Sequence, residues 1–272
     1  MPAIANNTRF TILDETRDYI VVSKPAPLKV HPGSPDGVET LYDGLKGLLA
    51  FELANGGQIS IVNRLDRETS GVTLVAKTAE SARRFGLAMM ERQFRKTYLA
   101  IVHGWPEWHE TTETGAILRK GEVMGSMIYV KQMVHPKGAP CETAFWVVER
   151  RCDAQGREFA MIEAAPLTGR MHQIRVHLAH LGHPIVGDKL YGEDERCYLD
   201  FMEGGWTEDL QRRLLLRRQA LHSRTLQLAD GSGLSWTAPL PGDLAAFWSA
   251  LAIPHHVRHL SEEAAENEGV VV

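Results

Sequence analysis

Residues 61–77 read IVNRLDRETSGVTLVAK, and the rest of the chain is best read outward from them. Ile61, Val62 and Leu65 lead in. Val72, Leu74 and Ala76 then alternate with Thr73, Val75 and Lys77, the two-residue period of a strand with one buried face. Between the apolar runs lie Asp66, Arg67, Glu68, Thr69, Ser70 and Gly71. Gly71 can take a positive φ, and the Thr69 and Ser70 hydroxyls can bond nearby backbone. The pattern predicts two strands gripping a short, rigid loop that presents the Asp66 carboxylate. Taken alone, an Asp before Thr-Ser-Gly is a turn residue bonding its own backbone.

A second charged cluster, LTGRMHQIRVHLAHLGHPIVGDKLYG, occupies 167–192. Met171, Ile174, Leu178 and Leu181 form one helical stripe, with Thr168 near its start and Gly182 past its end. His172 and Arg175 share a neighbouring face. Arg175 lies at the edge of the apolar stripe, where an unpaired cation is costly, and Asp66 is its obvious partner. His177, His180 and His183 could instead ligate a metal with Asp188, although their spacing is not that of a standard zinc site.

Between the clusters, Thr78 is a cap for a helix reaching about Phe94, with Ala82, Phe85, Met89 and Arg92 in helical register. RKTYLAIVHG, 95–104, reads as a strand. On the pattern alone Tyr98 is a core or cross-strand residue. Elsewhere the periodicities predict strands around FTIL and YIVVSK, a rigid loop KPAPLKVHPG at 24–33, a helix over 41–54 and a strand MIYVKQMV at 127–134. Two further strands follow in KGAPCETAFWVVERR and FAMIEAAP. Residues 193–206 read as an exposed insertion, then a Thr207-capped helix holds Leu210, Leu214 and Ala220. Arg212, Arg213, Arg217 and Arg218 read as its solvated face, and a strand pair over 220–243 ends in a proline turn.

NRLDRETSG closely resembles the HRLDxxTSG motif of the RluA family of RNA pseudouridine synthases, with Asn63 in place of the more common His. Lys96, Tyr98, Ala100, Val102 and Gly104 match the family's KxYxAxVxG strand, and 169–192 is similar to its GRxHQIRxHLxxxGxPIxGDxxYG signature. KPAPLKVHPG matches a KPxGxxVHP segment except at Pro27, and ALHS and APLPGD resemble its closing segments. The resemblance implies an α+β catalytic domain with a large mixed, mostly antiparallel sheet and a central active-site cleft. It spans about 10–250 of 10–258, with a flexible tail at 1–9 and a disordered acidic tail at 259–272. The small N-terminal RNA-binding module of many relatives is expected to be missing.

The implied reaction is isomerisation of uridine to pseudouridine in structured RNA, tRNA or rRNA, with no cofactor. Asp66 would be the catalytic carboxylate. Arg175 would hold it ionised, Tyr98 would stack on the uracil and could take up a proton, and Leu65 and Ile174 would wall the pocket. A buried uridine must be flipped out, and Arg64, two residues before Asp66 on a strand, could fill the gap. Lys24, His31, Arg67, Arg95, Lys96, Arg170, His172 and His177 are the expected phosphate contacts. The alternatives are a catalytically silent RNA-binding protein and a metal-dependent hydrolase using the His177/His180/His183 cluster.

Composition bounds rather than decides. The four glutamates of the last twelve residues account for the whole net charge of −4, so RNA binding needs a local basic face. No apolar run approaches the roughly 18 residues of a membrane span, and MPAIANNTRF is not a signal sequence. Cys141, Cys152 and Cys197 are odd in number and far apart, which points to the reducing cytoplasm. A monomer without an obligate protein partner is expected.

Overall fold

The computed structural model describes residues 9–33 and 37–254, so most of both expected tails lies outside the described residues. Ten strands form one sheet in the order β1 (Thr11–Glu15), β2 (Tyr19–Lys24), β4 (Ser70–Ala76), β11 (Leu221–Leu228), β5 (Phe94–His103), β10 (Glu158–Pro166), β9 (Thr143–Cys152) and β6 (Glu110–Glu113). Two short strands complete it: β3 (Ser60–Ile61) beside β4 and β12 (Ser235–Thr237) beside β11. Every ladder in it is antiparallel except β4 against β11, where Ser70 and Gly71 pair with His222 and Ser223. A separate hairpin joins β7 (Ile117–Arg119) to β8 (Gln132–Val134). This is the mixed, mostly antiparallel α+β sheet that the resemblance implied.

The helices cover both faces of the sheet's β2–β4 half. α1 (Leu41–Leu48) is capped by Thr40 and Asp43, and α2 (Ala50–Ala54) follows at once, so the single helix expected over 41–54 is two. On one face Leu41 and Leu45 pack with Ile20, Val22 and Val75. On the other, Phe85 and Ala88 of α3 (Ala79–Met90) pack with Tyr19, Val72 and Leu74. Hence all of β4 is buried, not the alternate residues that a one-sided strand would hide. Thr78 caps α3 as expected, but the chain leaves the helix at Met90 and Arg92 is exposed with φ 58°.

The other half of the sheet packs Ile101, Phe145, Phe159 and Ile162 against Ile174 and Leu178 of α4 (Gln173–His180) and Trp248 of α7 (Gly242–Ser249). The expected insertion is instead α5 (Arg196–Gly204), whose Cys197 packs on Leu210 and Leu214 of α6 (Glu208–Leu214). Thr207 caps α6, which ends before Ala220. Arg218 is not on a solvated face. It is buried and grips Asp243 at 2.6 and 2.9 Å. Of MIYVKQMV only Gln132–Val134 is strand, and Met127 and Tyr129 are exposed. Among the described residues no helix is long and apolar enough to cross a membrane.

The parallel contact between β4 and β11 depends on a glycine. Gly71 has φ 120°, and a Cβ there would lie 2.1 Å from the Ser223 carbonyl oxygen. Gly71→Ala should therefore destabilise the fold by about 3 kcal/mol or more. Gly86, inside α3 with open space around it, should gain about 0.5–1 kcal/mol as Ala. Urea denaturation of the two variants checks the contrast.

Candidate active site

The loop between β3 and β4 is tied down along its whole length. Asn63 Nδ2 donates to the Val72 carbonyl at 2.9 Å and its Oδ1 accepts from Leu74 N–H at 2.8 Å, replacing a strand partner where β3 has ended. The Arg67 carbonyl accepts from Leu28 N–H at 2.9 Å and from Lys24 Nζ at 3.2 Å. Glu68 pairs with Lys189 at 2.9 Å, Thr69 Oγ1 accepts from Gln219 Nε2 at 2.8 Å, and Ser70 Oγ donates to His222 Nδ1 at 2.9 Å. The expected rigidity is present, but residues 62–69 are loop rather than strand.

Arg175 projects from α4 and joins the two charged clusters. Its Nη1 donates to Asp66 Oδ2 at 2.9 Å. Its Nε and Nη2 grip Asp188 at 2.6 and 2.8 Å. The Asp188 side chain is 0% exposed, and its Oδ1 also accepts the backbone N–H groups of Leu190 and Tyr191. Asp66 is thus the partner of Arg175 as expected, but it receives a single bond, and the bidentate grip falls on Asp188. Gln219 Nε2 adds a longer bond to Asp66 Oδ2 at 3.3 Å. Burial alone would raise both carboxyls. Arg175 outweighs it by charge and hydrogen bonding, so Asp66 and Asp188 are held below the ordinary carboxylate range. Both donors reach Oδ2. Asp66 Oδ1 has no hydrogen bond among the described residues and is left for other work.

A cleft of about 330 Å³ opens over this carboxylate. Arg64, Leu65, Lys96, Tyr98, Arg170, His172 and Ile174 line it, as expected, together with Met89, Thr168, Gln173 and Leu221. Tyr98 comes from β5 opposite Ser223, and burial pushes its phenol up to about 12 despite a hydrogen bond from Ser223. Met171, assigned to the buried stripe, is 49% exposed, because α4 begins at Gln173 after a left-handed His172. Arg67, Arg95 and His31 are exposed and outside the cleft lining.

Two expected phosphate contacts are overturned. Lys24 is wholly buried, and its Nζ donates to the carbonyls of Pro25, Leu28 and Arg67. Burial lowers its pKa to about 7. His177 is also wholly buried, between the Thr143 hydroxyl and the Gly115 carbonyl, which leaves neither ring nitrogen for RNA or a metal. Among the described residues no group of three metal-ligating side chains comes together. Reading the sequence missed Gln219, Tyr191 and the ion-pair role of Asp188. The available signal for Asp188 was the demand of a buried guanidinium fork for more than one carboxylate.

The cleft brings together a carboxylate held by Arg175, the Tyr98 ring and the cations Arg64, Lys96 and Arg170, a combination that suits an enzyme acting on a base within a polyanion. Known proteins narrow the class. The RNA pseudouridylate synthase family matches residues 18–180. The ribosomal large subunit pseudouridine synthase D of Haemophilus influenzae is 32% identical over 258 residues, covering 91% of this chain and 72% of that protein. Its namesake in Nitrosomonas europaea is 34% identical over 248 residues, covering 90% and 66%. The solved structure of human RNA Pseudouridylate Synthase Domain Containing 4 superposes with TM-score 0.69 at 25% identity, over 90% of this chain and 95% of that one. Human RNA Pseudouridylate Synthase Domain Containing 1, at 24% identity and TM-score 0.68 over 97% of each chain, shows the same fold.

The chain belongs to the RNA pseudouridylate synthase family, in its RluA group, and is an RNA isomerase that converts uridine to pseudouridine.

Arg175→Met should leave Asp188 buried without a counter-charge, cost about 3–5 kcal/mol and raise the Asp66 pKa. Wild-type protein has its own pH signature. Burial and Arg175 lower the His172 pKa from 6.5 to about 4, so the unfolded chain binds the extra proton first. Stability is full above 6.5 and falls as pH drops toward 4, by about 2 kcal/mol at pH 5 from His172 alone. Urea denaturation at pH 7 and pH 5 measures both effects. Equal wild-type stability at the two pH values would contradict this assignment.

Proposed function

We propose that this enzyme isomerises uridine in large-subunit ribosomal RNA with Asp66 as its catalytic carboxylate. The observation that carries the role of Asp66 is the asymmetry of its two oxygens, with Oδ2 held by Arg175 and Gln219 and Oδ1 unbonded in a cleft-lining residue. The RNA class is supported by the names of relatives that match about nine-tenths of the chain.

The chemistry asks for little else. The C1′–N1 bond breaks, a C1′–C5 bond forms, the C5 hydrogen leaves as a proton and N1 takes one up. Composition and oxidation state do not change. An ionised carboxylate is the nucleophile, and the retained base removes the need for the second acid that a glycosidase uses on its leaving group. Tyr98, protonated at neutral pH because its pKa is about 12, offers a ring face to the uracil, with Leu65 and Ile174 as walls. The target leaves the stack, and exposed Arg64 on the cleft rim fills the gap.

Lys96 and Arg170 mark the path of the RNA backbone. Both line the cleft and the groove beside it, where Arg92 and Phe94 also lie. Lys96 is partly buried, and burial lowers its pKa. A desolvated ammonium of this kind is stabilised by an anion, and a phosphate next to the target nucleotide supplies one.

Asp66→Asn should abolish pseudouridine formation in unmodified rRNA while RNA affinity stays within a few-fold. Appreciable turnover would remove Asp66 from its role. Lys96→Met should weaken RNA binding and lower the slope of log affinity against log salt by about one, as read by filter binding over a salt series. An unchanged slope would take Lys96 off the phosphate path.

A further inference from the structure

The two ring nitrogens of His172 have different surroundings. Its Nδ1 lies 2.8 Å from the Tyr191 hydroxyl, and its Nε2 lies 3.9 Å from Asp66 Oδ2 in the cleft lining. The Tyr191 oxygen already accepts the backbone N–H of Gln132 at 2.9 Å. Among the described residues its single proton then has one acceptor, His172 Nδ1, and leaving a buried hydroxyl undonated costs about 1–3 kcal/mol. Burial raises the Tyr191 pKa although Arg175 stacks on its ring, 4.9 Å from the centroid, so this phenol keeps its proton. With Nδ1 accepting, a neutral imidazole carries its hydrogen on Nε2. Asp66 from the β3–β4 loop and Asp188 beside Tyr191 favour an imidazolium, but burial and Arg175 on α4 oppose it and lower the pKa to about 4.

Among the described residues that Nε2–H has no hydrogen-bond acceptor. A separation of 3.9 Å is too long for a hydrogen bond, and Asp66 Oδ2 is already served by Arg175 and Gln219. We propose that His172, through Nε2–H, donates a hydrogen bond to a carbonyl oxygen of the bound uracil, and that Tyr191 is the positioning residue that fixes the required tautomer. The inference rests on the pseudouridine synthase reading of the cleft. Breaking C1′–N1 places negative charge on the uracil, shared by its carbonyl oxygens, and a preoriented neutral donor stabilises charge where it develops. Such a donor also leaves Asp66 free of a protonated histidine that would compete for it.

The test begins on the free enzyme. Long-range proton–nitrogen spectra of histidine-labelled protein, with the His172 signal assigned by its loss in His172→Asn, should show neutral imidazole with hydrogen on Nε2 from pH 6 to pH 8. Tyr191→Phe should lose this single tautomer. Hydrogen on Nδ1, or an imidazolium, at pH 7 in wild type overturns the proposal.

Single-turnover assays complete it. His172→Gln carries an amide N–H where Nε2–H was and should be slowed no more than about tenfold. His172→Asn reaches only to the Nδ1 position and should be slowed about 100-fold or more, with RNA affinity unchanged within about threefold. Asn suits a left-handed backbone, so its slowness would not be strain at φ 59°. Equal rates for the two variants overturn the proposal. Wild-type enzyme that forms no pseudouridine in RNA would sink the underlying reading, whereas the tautomer is measured independently of turnover.

Discussion

One buried guanidinium organises the active site. Arg175 spends two nitrogens on a fully buried carboxylate, Asp188, and a third on Asp66. The desolvation penalty of a buried ion pair can cancel its attraction, so such a pair is weak evidence of stability. It does fix direction. Asp188 is set by two backbone N–H groups, so the planar fork has one orientation left, and that orientation aims Nη1 at Asp66 Oδ2. A lysine would place a point charge and lose the aim.

The sheet topology brings the parts together. The loop bearing Asp66 precedes β4, Tyr98 stands on β5, and β11 lies between these strands, parallel to one and antiparallel to the other. Only Gly71 lets β4 and β11 approach so closely at the end that holds the loop. Lys24, Asn63 and Gln219 then fasten the loop from three directions. The carboxylate is held by the scaffold before any RNA arrives, as electrostatic preorganisation requires.

Local pattern carried much of this architecture. The alternation in 95–104, the Thr78 and Thr207 caps and the pairing of Asp66 with Arg175 across more than a hundred residues were all legible. Packing on two faces was not, because β4 buries both sides and a two-residue period cannot report that. Lys24 and His177 read as surface cations because sequence shows charge but not the carbonyls that satisfy it. Met171 fitted the stripe arithmetically, yet the helix starts after it, at a left-handed residue no periodicity predicts. Gln219 lies far along the chain from Asp66 and has no local pattern of its own, so only the fold could reveal it.

If Asp66 is the catalytic carboxylate proposed above, its environment is set by buried Asp188 through the Arg175 guanidinium. Tritium release from RNA labelled at uridine C5 measures this directly, with Asp188→Asn studied where circular dichroism shows it folded. Asp66, Tyr98 and Arg175 are all intact in that variant. A single-turnover rate lower by about 100-fold or more is expected, with RNA binding retained. A wild-type rate from Asp188→Asn would contradict this role of Asp188.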